Sequence, residues 1–158
     1  MGIYQAFEFH LTIPAESYPK VLSAIGDYAA INDSETTLSG VELDVWKALE
    51  SFLVELWTER EDIELDVNEE RAIVRCSTGM HEQSYGAAGV VARLVAAATP
   101  GDFVRVFYED DGGGEYILQR GPHGEVQDHR PVIFYPTAMW ANHERDIEIV
   151  RASLKEEQ

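Results

Sequence analysis

Lysine is scarce in this chain: Lys20, Lys47 and Lys155 stand against nine arginines and 29 acids, for a formal charge of -17 over 158 residues. So few cations exclude the extended basic surface that grips bare phosphate backbones; the charge favours cationic partners instead. Cysteine is almost absent too. Cys76 alone rules out an intramolecular disulfide and any multi-cysteine metal site. Its apolar, alternating surroundings mark it as a small buried side chain and not a nucleophile. No apolar run nears the roughly 20 residues of a membrane span. Met1-Gly2-Ile3-Tyr4 runs straight into a strand pattern without a charged-then-apolar leader, so a cytoplasmic protein is expected.

What is present argues for a packed core. The chain is 45% hydrophobic and holds three Trp, seven Tyr and six Phe, and charge alone does not unfold a chain with that much surface to bury. Its length suits a single domain spanning 1–158. The acidity has two readings. It suits a dedicated binding face, and equally a protein from a high-salt or GC-rich organism whose charge keeps it dissolved.

Alternation from Ile3 to Ile13 predicts a half-buried strand that Pro14 ends. Glu16 to Ala30 has helical spacing, with Pro19 in the first turn, and Asn32 to Gly40 is polar loop. Val41 to Trp57 predicts a second helix, with Trp46 and Trp57 on the apolar stripe as core anchors. Ile63, Leu65 and Val67 then alternate with Asp62, Glu64 and Asp66, Asn68-Glu69-Glu70 turns the chain, and Ala72, Val74 and Cys76 return as a hairpin partner. His81 to Thr99 predicts a third helix, Asp102 to Glu109 a strand, and Glu115 to Arg120 and Glu125 to Tyr135 two further extended pieces. Asn142 to Leu154 closes as a helix.

This order is that of an α+β fold: a two-layer ferredoxin-like (split βαβ) core with an inserted helix, a C-terminal antiparallel β-meander and a terminal helix. The acidic hairpin Ile63-Glu64-Leu65-Asp66-Val67, the helix around Val91-Ala92-Arg93-Leu94-Val95, and the meander from Phe107-Tyr108-Glu109-Asp110-Asp111-Gly112 to Gly124-Glu125-Val126 cover the last two-thirds of the chain. Their layout resembles that of small phage and plasmid proteins with a YubB-like ferredoxin-fold domain. The resemblance implies a mobile-element setting and no settled activity.

Candidate chemistry is sparse. His123, Asp128 and His129 cluster across a turn, but a catalytic metal normally takes three protein ligands, and surface polarity explains them equally well. Glu109, Asp110, Asp111 and Glu115 surround three glycines without the spacing of a calcium loop, which reads as a tight hairpin turn. Glu8 and His10 share a strand face and could form an acid–base pair, yet no Ser or Cys nucleophile is positioned beside them. Tyr4, Phe103 and Phe107 could offer rings to a nucleic acid, but their surround is acidic and direct RNA or DNA binding is not expected.

The expectation is therefore a small non-catalytic interaction protein of phage or mobile-element origin, with no cofactor, no metal and no membrane. Its acidic face would engage a basic surface on a host protein; the most specific form is a nucleic-acid-mimicking inhibitor of a defence nuclease or CRISPR complex. Glu61, Asp62, Glu64, Asp66, Glu69 and Glu70 form the expected contact set, with Asp110, Asp111 and Glu115 as a second patch. Two rivals stand beside it: a small enzyme or ligand-binding domain with a pocket near Trp46, Trp57 or Trp140 that uses His10 and Glu8, and a soluble structural or regulatory oligomer.

Overall fold

In a computed structural model of the chain, the residues described are 5–32, 44–56, 58–80, 87–108, 114–129 and 138–156. β1 (Gln5–Pro14) leads through a 3-10 turn (Ala15–Ser17) into α1 (Tyr18–Asn32), and α2 (Val45–Glu55) follows. A second 3-10 turn (Arg60–Asp62) precedes the hairpin of β2 (Ile63–Val67) and β3 (Arg71–Met80). Then come α3 (Ala87–Ala97), β4 (Phe103–Tyr108), β5 (Gly114–Arg120), β6 (Val126–His129) and α4 (Ala138–Glu156). The strands form one six-stranded sheet in the order β2-β3-β1-β4-β5-β6, and every neighbouring pair is antiparallel. The fold is α+β, with four α-helices among the described residues.

The pleat decides what each strand contributes, since successive side chains point to opposite faces. Phe7, Phe9, Leu11 and Ile13 of β1 point into the helix layer and are at most 2% exposed. Val74 and Ala72 of β3, Val104 and Val106 of β4, and Leu118 of β5 complete that covered face. Against it lie the helices, with α3 packed between α1 and α4, and α2 beside α1 and over β2. α3 buries Val90, Val91, Ala92, Leu94 and Val95, more than one stripe of its surface, because it meets the sheet below and a helix on either side. A Cβ on Gly89 would stand 3.7 Å from a methyl of Val150 on α4, an ordinary contact, so an alanine would fit there too.

The sequence-based boundaries shift where capping intervenes. α2 begins at Val45, not Val41, because Asp44 is extended and its Oδ1 accepts the Lys47 N–H at 2.9 Å, which caps the helix. α4 begins at Ala138, one turn before the expected Asn142. Trp46 corrects a larger expectation: it is 37% exposed on α2, whereas Val45, Leu49, Phe52 and Leu53 form the buried stripe. The core anchor of that helix is Phe52, whose ring meets Tyr28 of α1 edge-on at 5.2 Å. Asn32, expected in a loop, closes α1. Trp57, the rest of that loop (33–40), the turn 109–113, the expected start of the third helix (81–86) and the end of the last extended piece (130–135) lie outside the described residues.

Candidate functional site

The acid-rich hairpin forms one edge of the sheet, since among the described residues β2 pairs with β3 alone. Asn68 shapes its turn: Oδ1 accepts the N–H groups of Glu70 at 2.9 Å and Arg71 at 3.0 Å, which turns Glu69 and Glu70 outward. The Asn68 N–H donates to the Arg71 carbonyl at 2.9 Å and fixes the register. By that parity Glu64 and Asp66 direct their backbone groups to β3, while Ile63, Leu65 and Val67 turn theirs to the free edge. Glu61, Asp62, Glu64, Asp66, Glu69 and Glu70 are all exposed, so the structure brings the expected contact set to one sheet edge and its two flanking turns.

Two details change the expected row of charges. Asp62 is not on the strand: its N–H bonds back to the Glu59 carbonyl at 3.0 Å, closing a 3-10 turn that an Arg60–Glu50 contact of 3.4 Å links to α2. Of the alternating acids Asp62, Glu64 and Asp66, the strand keeps Glu64 and Asp66, about 7 Å apart along one face. On its inner side the row meets cations, because β3 sets Arg75 directly opposite Glu64 and carries Arg71 at the turn. Of the second patch, Asp110 and Asp111 lie outside the described residues; Glu115 is placed by its backbone on β5, opposite Phe107.

The middle of the same sheet face, which no described helix covers, holds a network that strand parity alone assembles. Across the strands run two ladders: Glu64, Arg75, His10, Phe103, Gln119 and Gln127 in one, and Ser77, Glu8, Arg105, Ile117 and His129 in the other. His10 Nε2 and Glu8 Oε1 are 2.6 Å apart, and Arg105 reaches the other Glu8 oxygen at 3.6 Å. The His10 bond, aided by the nearby positive charge of Arg105, holds the Glu8 carboxyl below the usual glutamate range against the opposing effect of burial. The His10 ring stacks on Phe103 at 4.6 Å, and the Arg105 guanidinium lies over Phe107 at 5.5 Å. Sequence reasoning paired Glu8 with His10 but missed Arg105 and Arg75 as their neighbours, since only register reveals them.

Asp102, just before β4, is a carboxylate of another kind. Its Oδ2 accepts the Thr12 N–H at 2.5 Å and the Thr99 N–H at 3.1 Å, which joins β1 to the turn after α3. Burial raises its pKa more than those two bonds and the charge of His10 lower it. The arrangement satisfies two backbone donors.

Other candidates separate. Asp128 opposes Leu118 on the covered face, 3.9 Å from Arg151 of α4, whereas His129 opposes Ile117 on the open face and contacts Gln119 at 3.0 Å. Period-two alternation thus divides the suspected metal cluster, and the described residues contain no group of three or more His, Cys, Asp or Glu able to hold an ion. Burial pushes the Cys76 thiol up to about 12, so it is inert as a nucleophile. Trp46 lies at the surface of α2. Among the described residues no helix is long and apolar enough to cross a membrane. No family model, curated protein or solved structure matches the chain.

Proposed function

We propose that this protein is a non-catalytic binding protein whose acidic sheet edge docks on a basic surface of another protein. One observation carries the reading: six carboxylates that are close in sequence are also contiguous in space, all exposed, along the β2 edge and the turns at either end. A negative strip of this kind steers a cationic partner and makes encounter sensitive to salt. Arg71 and Arg75 bound the strip on its inner side, so the partner meets the β2 rim of the open face. The sheet order β2-β3-β1-β4, with α1 and α3 on one side, supports a ferredoxin-like split βαβ core. From the YubB-like resemblance of the sequence we further propose a phage or plasmid origin and a cytoplasmic site of action against a nucleic-acid-binding defence complex.

The test is capture from bacterial lysate at about 50 mM and about 500 mM salt, with wild type beside a Glu64→Lys/Asp66→Lys/Glu69→Lys variant. The reading expects a basic protein that binds wild type at low salt, escapes at high salt and ignores the variant. Capture that survives charge reversal sinks it. The 2.6 Å His10–Glu8 pair favours a second reading, an acid–base site on the open face; under it His10→Ala abolishes function, whereas edge docking leaves that variant fully competent.

A further inference from the structure

The open face differs in charge from the rest of the molecule. Over a chain of formal charge -17, acids and arginines nearly balance on it: the register places Glu8, Glu64, Asp66 and Glu115 on this face against Arg71, Arg75 and Arg105. Half-buried Phe103, Phe107, Ile73 and Ile117 lie among them, side chains that fill space without charge. Two molecules this negative repel one another in most orientations, and the sheet face is where that repulsion is least.

We infer that the open face is a self-association surface, occupied by a second copy of this chain through a twofold axis running along the strands between β1 and β4. Closed symmetric dimers need a patch that complements itself. The order β2-β3-β1-β4-β5-β6 supplies one, because this axis lays β1 of one copy over β4 of the other and β2 over β6. Glu8 on β1 then meets the second copy's Arg105 on β4, and its Arg105 meets the second Glu8. Glu64 on β2 faces the second copy's Gln127 on β6, which shares its ladder. The alternative twofold, running across the strands, stacks β2 on β2 and sets Glu64 and Asp66 against their own copies, which like charge opposes. Six strands about 4.8 Å apart and six residues long present roughly 500 Å². Two such faces bury about 1,000 Å², the lower bound of a specific interface, so the dimer is a weak one.

Salt gives this inference a signature opposite to that of edge docking, on which it does not rest. Screening removes the long-range repulsion between two strongly negative bodies, so added salt strengthens self-association while it weakens capture of a basic partner. Sedimentation equilibrium of the full chain at about 20 mM and about 500 mM salt reads this directly. The expected result is monomer at low salt and a concentration-dependent dimer at high salt. Arg105→Glu weakens that dimer about tenfold or more, and Glu8→Arg/Arg105→Glu restores it; melting curves confirm that each variant folds. A folded wild type that stays monomeric throughout overturns the inference. So does a dimer that salt dissolves, or one that Arg105→Glu leaves intact. Binding of a labelled single-stranded oligonucleotide that Phe103→Ala abolishes would also overturn it, by assigning the face to another occupant.

Discussion

Phe9 and His10 are consecutive on β1, and the pleat sends them to opposite faces of the sheet. Phe9 is 1% exposed, stacked near Phe7 beneath the helices, and its worth is packing. His10 is half-exposed, with the Glu8 carboxylate on one side and the Phe103 ring on the other. The covered face is rich in apolar residues that only volume constrains; the open face is rich in charges that register constrains. A residue's position on this chain therefore says less about its role than its parity does.

The sharpest way to break that contrast is to truncate both neighbours. Phe9→Ala should cost about 3–5 kcal/mol, since it removes a large buried ring and leaves a cavity. His10→Ala should cost under about 1 kcal/mol, because half-exposed polar contacts return most of their strength to water. Urea unfolding at neutral pH measures both. If the two variants lose similar stability, the open face is structural and the division between the faces fails.

Asp102 stands at the boundary between the faces and sharpens the comparison at a smaller scale. Asp102→Ala leaves the Thr12 N–H without its acceptor, at a cost of about 1–3 kcal/mol. Asp102→Asn keeps an acceptor oxygen and discards a charge that burial penalises, so it should match or exceed wild-type stability at pH 7. A large loss in the Asn variant would show that the charge itself, and not the hydrogen bonds, holds β1 to the turn.

Much of this was legible in the chain. Period-two alternation at Phe7, Phe9 and Leu11, and again at Ile63, Leu65 and Val67, gives strands and their buried faces directly. The acidic hairpin is equally plain, because Asn68-Glu69-Glu70 separates two alternating runs. Trp46 was misread because helical spacing places it beside the apolar stripe, and a bulky ring at the margin of a stripe can face either way. Arg75 and Arg105 were out of reach for another reason. Each belongs to a strand distant in sequence from His10 and Glu8, and pairing across β3, β1 and β4 is a long-range property that no local pattern encodes.

Glu8 and Asp102 supply the finest test, since both carboxylates feel His10 and yet shift in opposite directions. For Glu8, whose folded pKa lies below its ordinary 4.5, the stabilisation is complete above that value and is lost as pH falls through the lowered one. For Asp102, raised above its ordinary 3.8, the contribution is present below that value and disappears as pH climbs through the raised one. Around pH 4 the two therefore oppose each other in the slope of stability against pH. Removing Glu8 as Glu8→Gln should flatten the acid limb, and removing Asp102 as Asp102→Asn should steepen it. Denaturant unfolding from pH 3 to pH 6 distinguishes them. Parallel limbs in the two variants would mean that neither the cationic pair on the open face nor the burial at the turn governs how these acids titrate.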